Sequence, residues 1–193
     1  QLALQGPAAA GVVQKLTSVR LSSVGTYRFT SGEVAGIPCI VARTGYTGED
    51  GFELFCPPGK AATLWDALLD AGREFGIRPF GVEAQRLLRL EKKHVIVGVD
   101  TDALTTPYEA GMAWVVRLEK DDFIGRWTLA RNKEAPLRDA LVGFVLEGEQ
   151  VPEDGCAVMI NGRPAGRVTS TRYSPHVGAP IGLAWVPADK AVE

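Results

Sequence analysis

The chain has 193 residues, 46% hydrophobic and 23% charged, the balance of a globular protein with material for a sizeable core. Its 21 basic and 23 acidic residues are intermixed and sum to a formal charge of -2, so no basic stripe supports phosphate-driven nucleic-acid binding. No apolar run is long enough for a transmembrane helix, and the first residues lack a signal-peptide layout, so no membrane partner and a cytoplasmic location are expected. Three cysteines, Cys39, Cys56 and Cys156, are odd in number and widely spaced, which fits neither a disulfide framework nor a metal knuckle. They read as buried free thiols of a reducing cytosol.

In chain order, Leu2-Ala3-Leu4 reads as a short strand, and Gly6-Pro7 starts a helix over 8–16 with proline near its first turn. Tyr27-Arg28-Phe29 and residues 36–42 make a hairpin. It leads into Arg43-Thr44-Gly45-Tyr46-Thr47-Gly48-Glu49-Asp50-Gly51-Phe52-Glu53, whose three glycines exclude a helix or a long strand. Glycine reaches positive φ without steric cost, so the stretch predicts a tight loop between two strands, with exposed backbone N–H groups that a flat ligand can approach. Glu53 alternates with Phe52 and Leu54 and is expected to point away from them. By pattern alone, a solvated hairpin turn with ordinary surface acids is the commoner meaning of such a stretch.

Residues 60–75 have helical spacing, with Leu64, Trp65, Leu68 and Leu69 forming an apolar face. Gly76 closes that helix and Pro79 prevents its immediate resumption. A second helix is predicted over 82–92, packing Leu87, Leu88 and Leu90 inward, with Glu83, Arg86, Arg89 and Glu91 spaced for i,i+3 pairing. Asp100 and Asp102 lack the downstream Gly and Glu spacing of a calcium loop and read as turn residues. Thr106-Pro107 starts a turn into a short helix, with Glu109 capping or pairing locally, and a further helix opens at 122–126 and runs through Asn132.

After Glu134-Ala135-Pro136 the texture turns to short strands and glycines, which sets the expected division at 1–136 and 137–193. Strands are predicted over 141–146, 157–160, 164–168 and 181–186, with Asn161-Gly162 as the strongest hairpin signal. Nucleophilic catalysis would need a histidine in reach, and neither His94 nor His176 stands in a triad or elbow context. Metal-ligand spacing is absent, and no P-loop or strand-flanked GxGxxG would hold a flavin or nicotinamide.

The 43–53 stretch resembles the signature of the aminomethyltransferase family, whose type member is the glycine-cleavage T-protein and which extends to the folate-binding halves of sarcosine oxidase alpha subunits and dimethylglycine dehydrogenases. Gln5-Gly6-Pro7, residues 106–112 and 122–126, Val168-Thr169-Ser170 and Ser174-Pro175 are similar to the same family. The resemblance implies an α+β fold, an aminomethyltransferase-type folate-binding domain followed by a small C-terminal β-barrel. It implies tetrahydrofolate as cofactor and one-carbon transfer giving methylenetetrahydrofolate. Two alternatives stay open: the folate-binding part of a sarcosine oxidase-like alpha subunit trapping formaldehyde, and a non-catalytic folate-binding module.

Carried over residue by residue, the resemblance gives Glu53 the pterin ring and sets Tyr46 beside the folate. Where the T-protein carries an Arg-Asp pair ahead of Leu-Arg-Leu-Glu, this sequence has Gln85 and Arg86, which leaves Arg86 as the candidate for that arginine's contact with folate. The implied partners are a lipoyl carrier protein or amine-oxidase subunits, with any redox cofactor on another domain or subunit. In the family Gln5-Gly6-Pro7 lies well inside the protein. The expectation is therefore that about the first third, with the Asp held responsible for catalysis near folate N5, precedes Gln1, and that no catalytic residue is assignable here.

Overall fold

In a computed structural model that describes residues 1–191, the chain divides into two compact units, Gln1–Leu88 and Arg89 onward. The change of texture at 136/137 falls inside the second.

The first unit is organised by an antiparallel sheet in the order β1-β4-β3-β2, from β1 (Leu2–Gln5), β2 (Phe29–Val34), β3 (Ile37–Ala42) and β4 (Gly51–Phe55). Strands β2 and β3 turn on Ala35-Gly36, both at positive φ (53° and 71°), the left-handed pair that matches strand twist in a two-residue hairpin. Period-two alternation sends Ile37, Cys39 and Val41 of β3 and Phe52 and Leu54 of β4 into one core. Helices α1 (Ala9–Gln14) and α2 (Ala61–Gly72) contribute Val13, Leu64 and Leu68 to it. A fully buried side chain of this size stabilises the fold by ~1.5–3 kcal/mol. Trp65, expected on the apolar face, is instead 41% exposed, because Leu64 and Leu68, four residues apart, already define the buried stripe. Gly76 ends the helical stretch in the left-handed conformation (φ 71°), as its position predicts.

The next helix, α3 (Val82–Glu91), has the predicted start and ends one residue earlier than predicted. In the second unit α4 (Arg126–Glu134) precedes a second antiparallel sheet in the order β5-β8-β7-β6: β5 (Asp139–Val145), β6 (Ala157–Ile160), β7 (Arg163–Ser174) and β8 (Ala179–Pro187). Asn161-Gly162 forms the β6–β7 turn with both residues at positive φ (52° and 75°). Strand β7 is far longer than predicted and carries a bulge between Val168 and Ser170. Residues 107–111 form turns, and the short helix expected there is only a 3-10 turn, Ala113–Val115. Glu109 pairs locally at the start of the 107–111 turns, accepting from the Thr106 backbone N–H (3.0 Å) and hydroxyl (2.8 Å). Among the described residues no helix is long and apolar enough to cross a membrane.

Candidate functional site

Loop 43–50 joins the adjacent strands β3 and β4, and a forked ion pair closes it. Arg43 donates through Nε and Nη2 to the two Asp50 carboxylate oxygens at 2.9 and 2.7 Å. That bond, ahead of the remaining charge attraction, holds the Asp50 carboxyl below its ordinary value of 3.8. Arg43 also donates to the Val24 carbonyl (3.2 Å) and lies 5.8 Å from the Phe52 ring centroid.

The loop is shaped around Gln5 of β1. Its amide nitrogen donates to the Thr44 carbonyl (3.2 Å), and its amide oxygen accepts from the buried Thr47 hydroxyl (3.3 Å). Gly6 donates its N–H to the Asp50 carbonyl at 2.8 Å. This explains two of the three glycines. A Cβ on Gly45 would stand 1.8 Å from the Gln5 amide oxygen, and one on Gly51 2.5 Å from the Leu4 carbonyl oxygen.

Glu53 is the third residue of β4, opposite Ala3 on β1 and Ala42 on β3. Phe52 and Leu54 are fully buried while Glu53 is half-buried, so the alternation read from the sequence holds. One carboxylate oxygen accepts from the Thr44 hydroxyl and the other from the side-chain amide of the exposed Gln1. Tyr46 is half-buried within the loop, four residues before the solvent-exposed Asp50. Arg86 projects from the exposed face of α3 and pairs with Glu83 at 2.7 Å, the expected i,i+3 partner. In the same unit a cleft of about 530 Å³ is lined by β1, by Trp65, Leu68 and Phe75, and by Phe80, Val82 and Gln85. Its lining includes Gln1, the Glu53 partner, but not Glu53, Tyr46 or Arg86.

Two residues read as ordinary surface or turn groups prove otherwise. Arg89 is 3% exposed and pairs not at i,i+3 but with Asp100, which is fully buried rather than a plain turn residue. The β7 bulge brings the Thr169 and Ser170 hydroxyls, which a regular strand would send to opposite faces, onto the same Asp100 oxygen at 2.6 Å each. An arginine set among Leu87, Leu88 and Leu90 was the signal for this. Cys156, expected to be buried, is exposed; Cys39 is buried and Cys56 half-buried.

Sequence comparison decides the lineage of this arrangement. Residues 1–120 match the family model described as GCVT N-terminal domain, and residues 140–193 match the glycine cleavage T-protein C-terminal barrel domain. The chain belongs to the glycine cleavage T-protein family. Its relatives include proteins named aminomethyltransferase from Halothermothrix orenii (44% identical over 190 residues, 98% of this chain and 53% of that protein) and Rubrobacter xylanophilus (46% over 189 residues, 97% and 50%). The crystal structure of the glycine cleavage system aminomethyltransferase T from Bartonella henselae superposes with a TM-score of 0.87 at 30% identity, over 99% of this chain and 52% of that one. The T-protein-family chain thus spans about half the length of the relatives it matches. The fold is α+β with the family's barrel-domain segment at its C-terminal end, as the resemblance implied.

Proposed function

We propose that this chain contributes the pterin-binding part of a tetrahydrofolate-dependent aminomethyltransferase, with Glu53 as the group that holds the pterin edge. The observation that carries the reading is the state of the Glu53 carboxylate. It stands on β4 just past the loop, held on one oxygen by Thr44, while its other oxygen accepts an amide N–H from the exposed Gln1 side chain. A 2-amino-pyrimidinone edge offers donors of the same kind, and two parallel bonds to a carboxylate are charge-assisted and stronger than neutral ones. The carboxylate acceptor therefore suits the donors of that ligand edge.

When bound, tetrahydrofolate supplies the nucleophilic N5 that takes the one-carbon unit, giving methylenetetrahydrofolate. The part of this chain is to bind and orient. Glu53 fixes the ring by its edge, Tyr46 borders it, and the glycine loop lets the ring approach the main chain. Holding two reactants in near-attack geometry is worth up to ~7–11 kcal/mol of the barrier. The donor of the one-carbon unit is proposed to arrive on a lipoyl carrier protein in the reducing cytoplasm, and the catalytic acid to come from the portion that the longer relatives have.

A second reading rests on the segment around α3. Gln85 and Arg86 replace the family's Arg-Asp pair, and Val-Gly-Val-Asp-Thr-Asp with Thr-Thr-Pro follows, a spelling similar to sarcosine oxidase alpha subunits. In that reading the same folate site traps formaldehyde released by an amine-oxidizing partner. Calorimetric titration with tetrahydrofolate, followed by turnover assays with a lipoyl-bound aminomethyl donor or with formaldehyde, separates the two. A chain that binds no folate at millimolar concentration sinks both.

A further inference from the structure

The antiparallel register of β3 and β4 runs Ala42↔Glu53, Val41↔Leu54 and Ile40↔Phe55. Its next step places Cys39 opposite Cys56, the residue that follows β4. Both side chains lie on the inner face: Cys39 is part of the core between Ile37 and Val41, and Cys56 packs against that core from its half-buried rim. Directly opposed residues of an antiparallel pair have Cα atoms about 4.5 or 5.5 Å apart. Both spacings lie inside the range of roughly 4.4–6.8 Å that a disulfide spans.

We propose that Cys39 and Cys56 are a cross-strand dithiol that a hydroperoxide oxidises to a disulfide, fastening the base of the hairpin that carries loop 43–50. The half-buried Cys56 takes the first step. Its thiolate attacks the terminal peroxide oxygen, the O–O bond breaks, and water leaves with hydrogen peroxide as oxidant, giving a sulfenic acid. Cys39 then attacks that sulfur, the S–O bond breaks, and a second water departs. The two sulfurs together lose two electrons and the peroxide gains them. Burial, and next the neighbouring Cys56, push the Cys39 thiol above its ordinary value. That suits it to the second, resolving step, where a sulfenic acid is already in contact, and not to the first. The closed ring contains the whole signature loop, so oxidation narrows the freedom of that loop, which holds Arg43, and of strand β4, which carries Glu53.

The test uses the full chain in a Cys156→Ser background, which removes the exposed thiol of the second unit. After hydrogen peroxide, the expected result is an intact mass lower by about 2 Da, reversed by dithiothreitol, and a peptide linking Cys39 to Cys56. The linked form should melt higher by roughly 6–12 °C, as for a short closed loop in a protein of this size. Cys56→Ser should abolish the mass loss, and because it leaves the buried Cys39 in place it serves even where Cys39→Ser fails to fold. A gain of oxygen mass with no linked peptide overturns the proposal, and so does a linked form that melts lower than the reduced one.

Discussion

Arg89 donates through Nη1 to Asp100 Oδ2 at 2.6 Å, with side chains 4% and 0% exposed, so a full ion pair sits inside the second unit. The same Asp100 oxygen accepts the Ile96 N–H (2.7 Å), and the Asp100 carbonyl accepts the Trp185 indole N–H (2.7 Å). Arg89 further donates to the His94 carbonyl (2.9 Å) and the Ser170 hydroxyl (2.7 Å). The network thereby ties the end of α3 and the 96–102 turn to β7 and β8. Burial alone would raise the Asp100 carboxyl. The hydrogen bonds from Ile96, Ser170 and Thr169 and the Arg89 charge outweigh it and hold the group below 3.8.

Because the folded value is the depressed one, the stabilisation from Asp100 is present above about pH 3.8 and is lost as pH falls through the lower folded value. Asp100→Asn removes the charge and leaves Arg89 buried without its counter-ion, which costs ~3–5 kcal/mol. Urea unfolding between pH 3 and 7 checks both points. The variant should be less stable at neutral pH and should show a flatter acid limb than the parent. Equal stability at neutral pH would mean that the pair is replaceable.

The Arg43–Asp50 pair is a contrast, since its side chains are 27% and 45% exposed. Despite its forked geometry it stands largely in water, where such pairs contribute ~0.2–1 kcal/mol and weaken with salt. Asp50→Asn should therefore lower stability by no more than about 1 kcal/mol, with the difference shrinking in molar salt. Its contribution too exists above pH 3.8 and fades as pH falls through the lowered Asp50 value. A loss larger than that for Asp100→Asn would reverse the ranking by burial.

The contrast also shows which parts of the structure the sequence could reveal. Period-two alternation placed Phe52 and Leu54 inside and Glu53 apart from them, because a strand with one buried face leaves no other register. Asn161-Gly162 marked its own hairpin, since two consecutive left-handed residues suit few other sequences. The 43–53 loop was legible as a loop, yet its dependence on Gln5 was not, because that contact spans about forty residues and depends on β1 pairing with β4. Arg89 and Asp100 were misread for a similar reason. Charged residues are usually solvated, and only the fold brings a bulged Thr169-Ser170 to meet a buried acid.

Gly45 and Gly51 make a prediction about that loop. An added methyl on Gly45 meets the far end of the Gln5 side chain, which can swing away while giving up its bonds to Thr44 and Thr47. On Gly51 it meets the Leu4 carbonyl oxygen in the paired strand, which cannot move without breaking the β1–β4 ladder. Gly51→Ala should therefore cost more than Gly45→Ala, by about 1–2 kcal/mol, the ordinary scale of overpacking against fixed atoms. A Gln5→Ala background should reduce the Gly45→Ala penalty and leave most of the Gly51→Ala penalty in place. Thermal melts of the five variants decide it, and equal relief at both glycines would show that Gln5, not the strand, is the obstacle at each.

The last prediction concerns Glu53 and the folate. Glu53→Gln keeps the size and the Thr44 contact but replaces one acceptor by a donor, so an N–H of the pterin edge would face an N–H of the protein. One charge-assisted bond is lost and a donor is left unpaired, which should weaken tetrahydrofolate binding by ~2–4 kcal/mol. Glu49, exposed on the loop and engaged through its backbone N–H with the Thr47 hydroxyl at 3.4 Å, provides the control. Glu49→Gln should change binding by far less. Both variants should fold, since neither acid belongs to the apolar core. Calorimetric titration of tetrahydrofolate into the parent and the two variants gives the answer. If Glu53→Gln binds like the parent while Glu49→Gln does not, the pterin rests on the loop tip rather than on the strand. If both match a parent that binds folate well, the pterin contact is carried by neither acid.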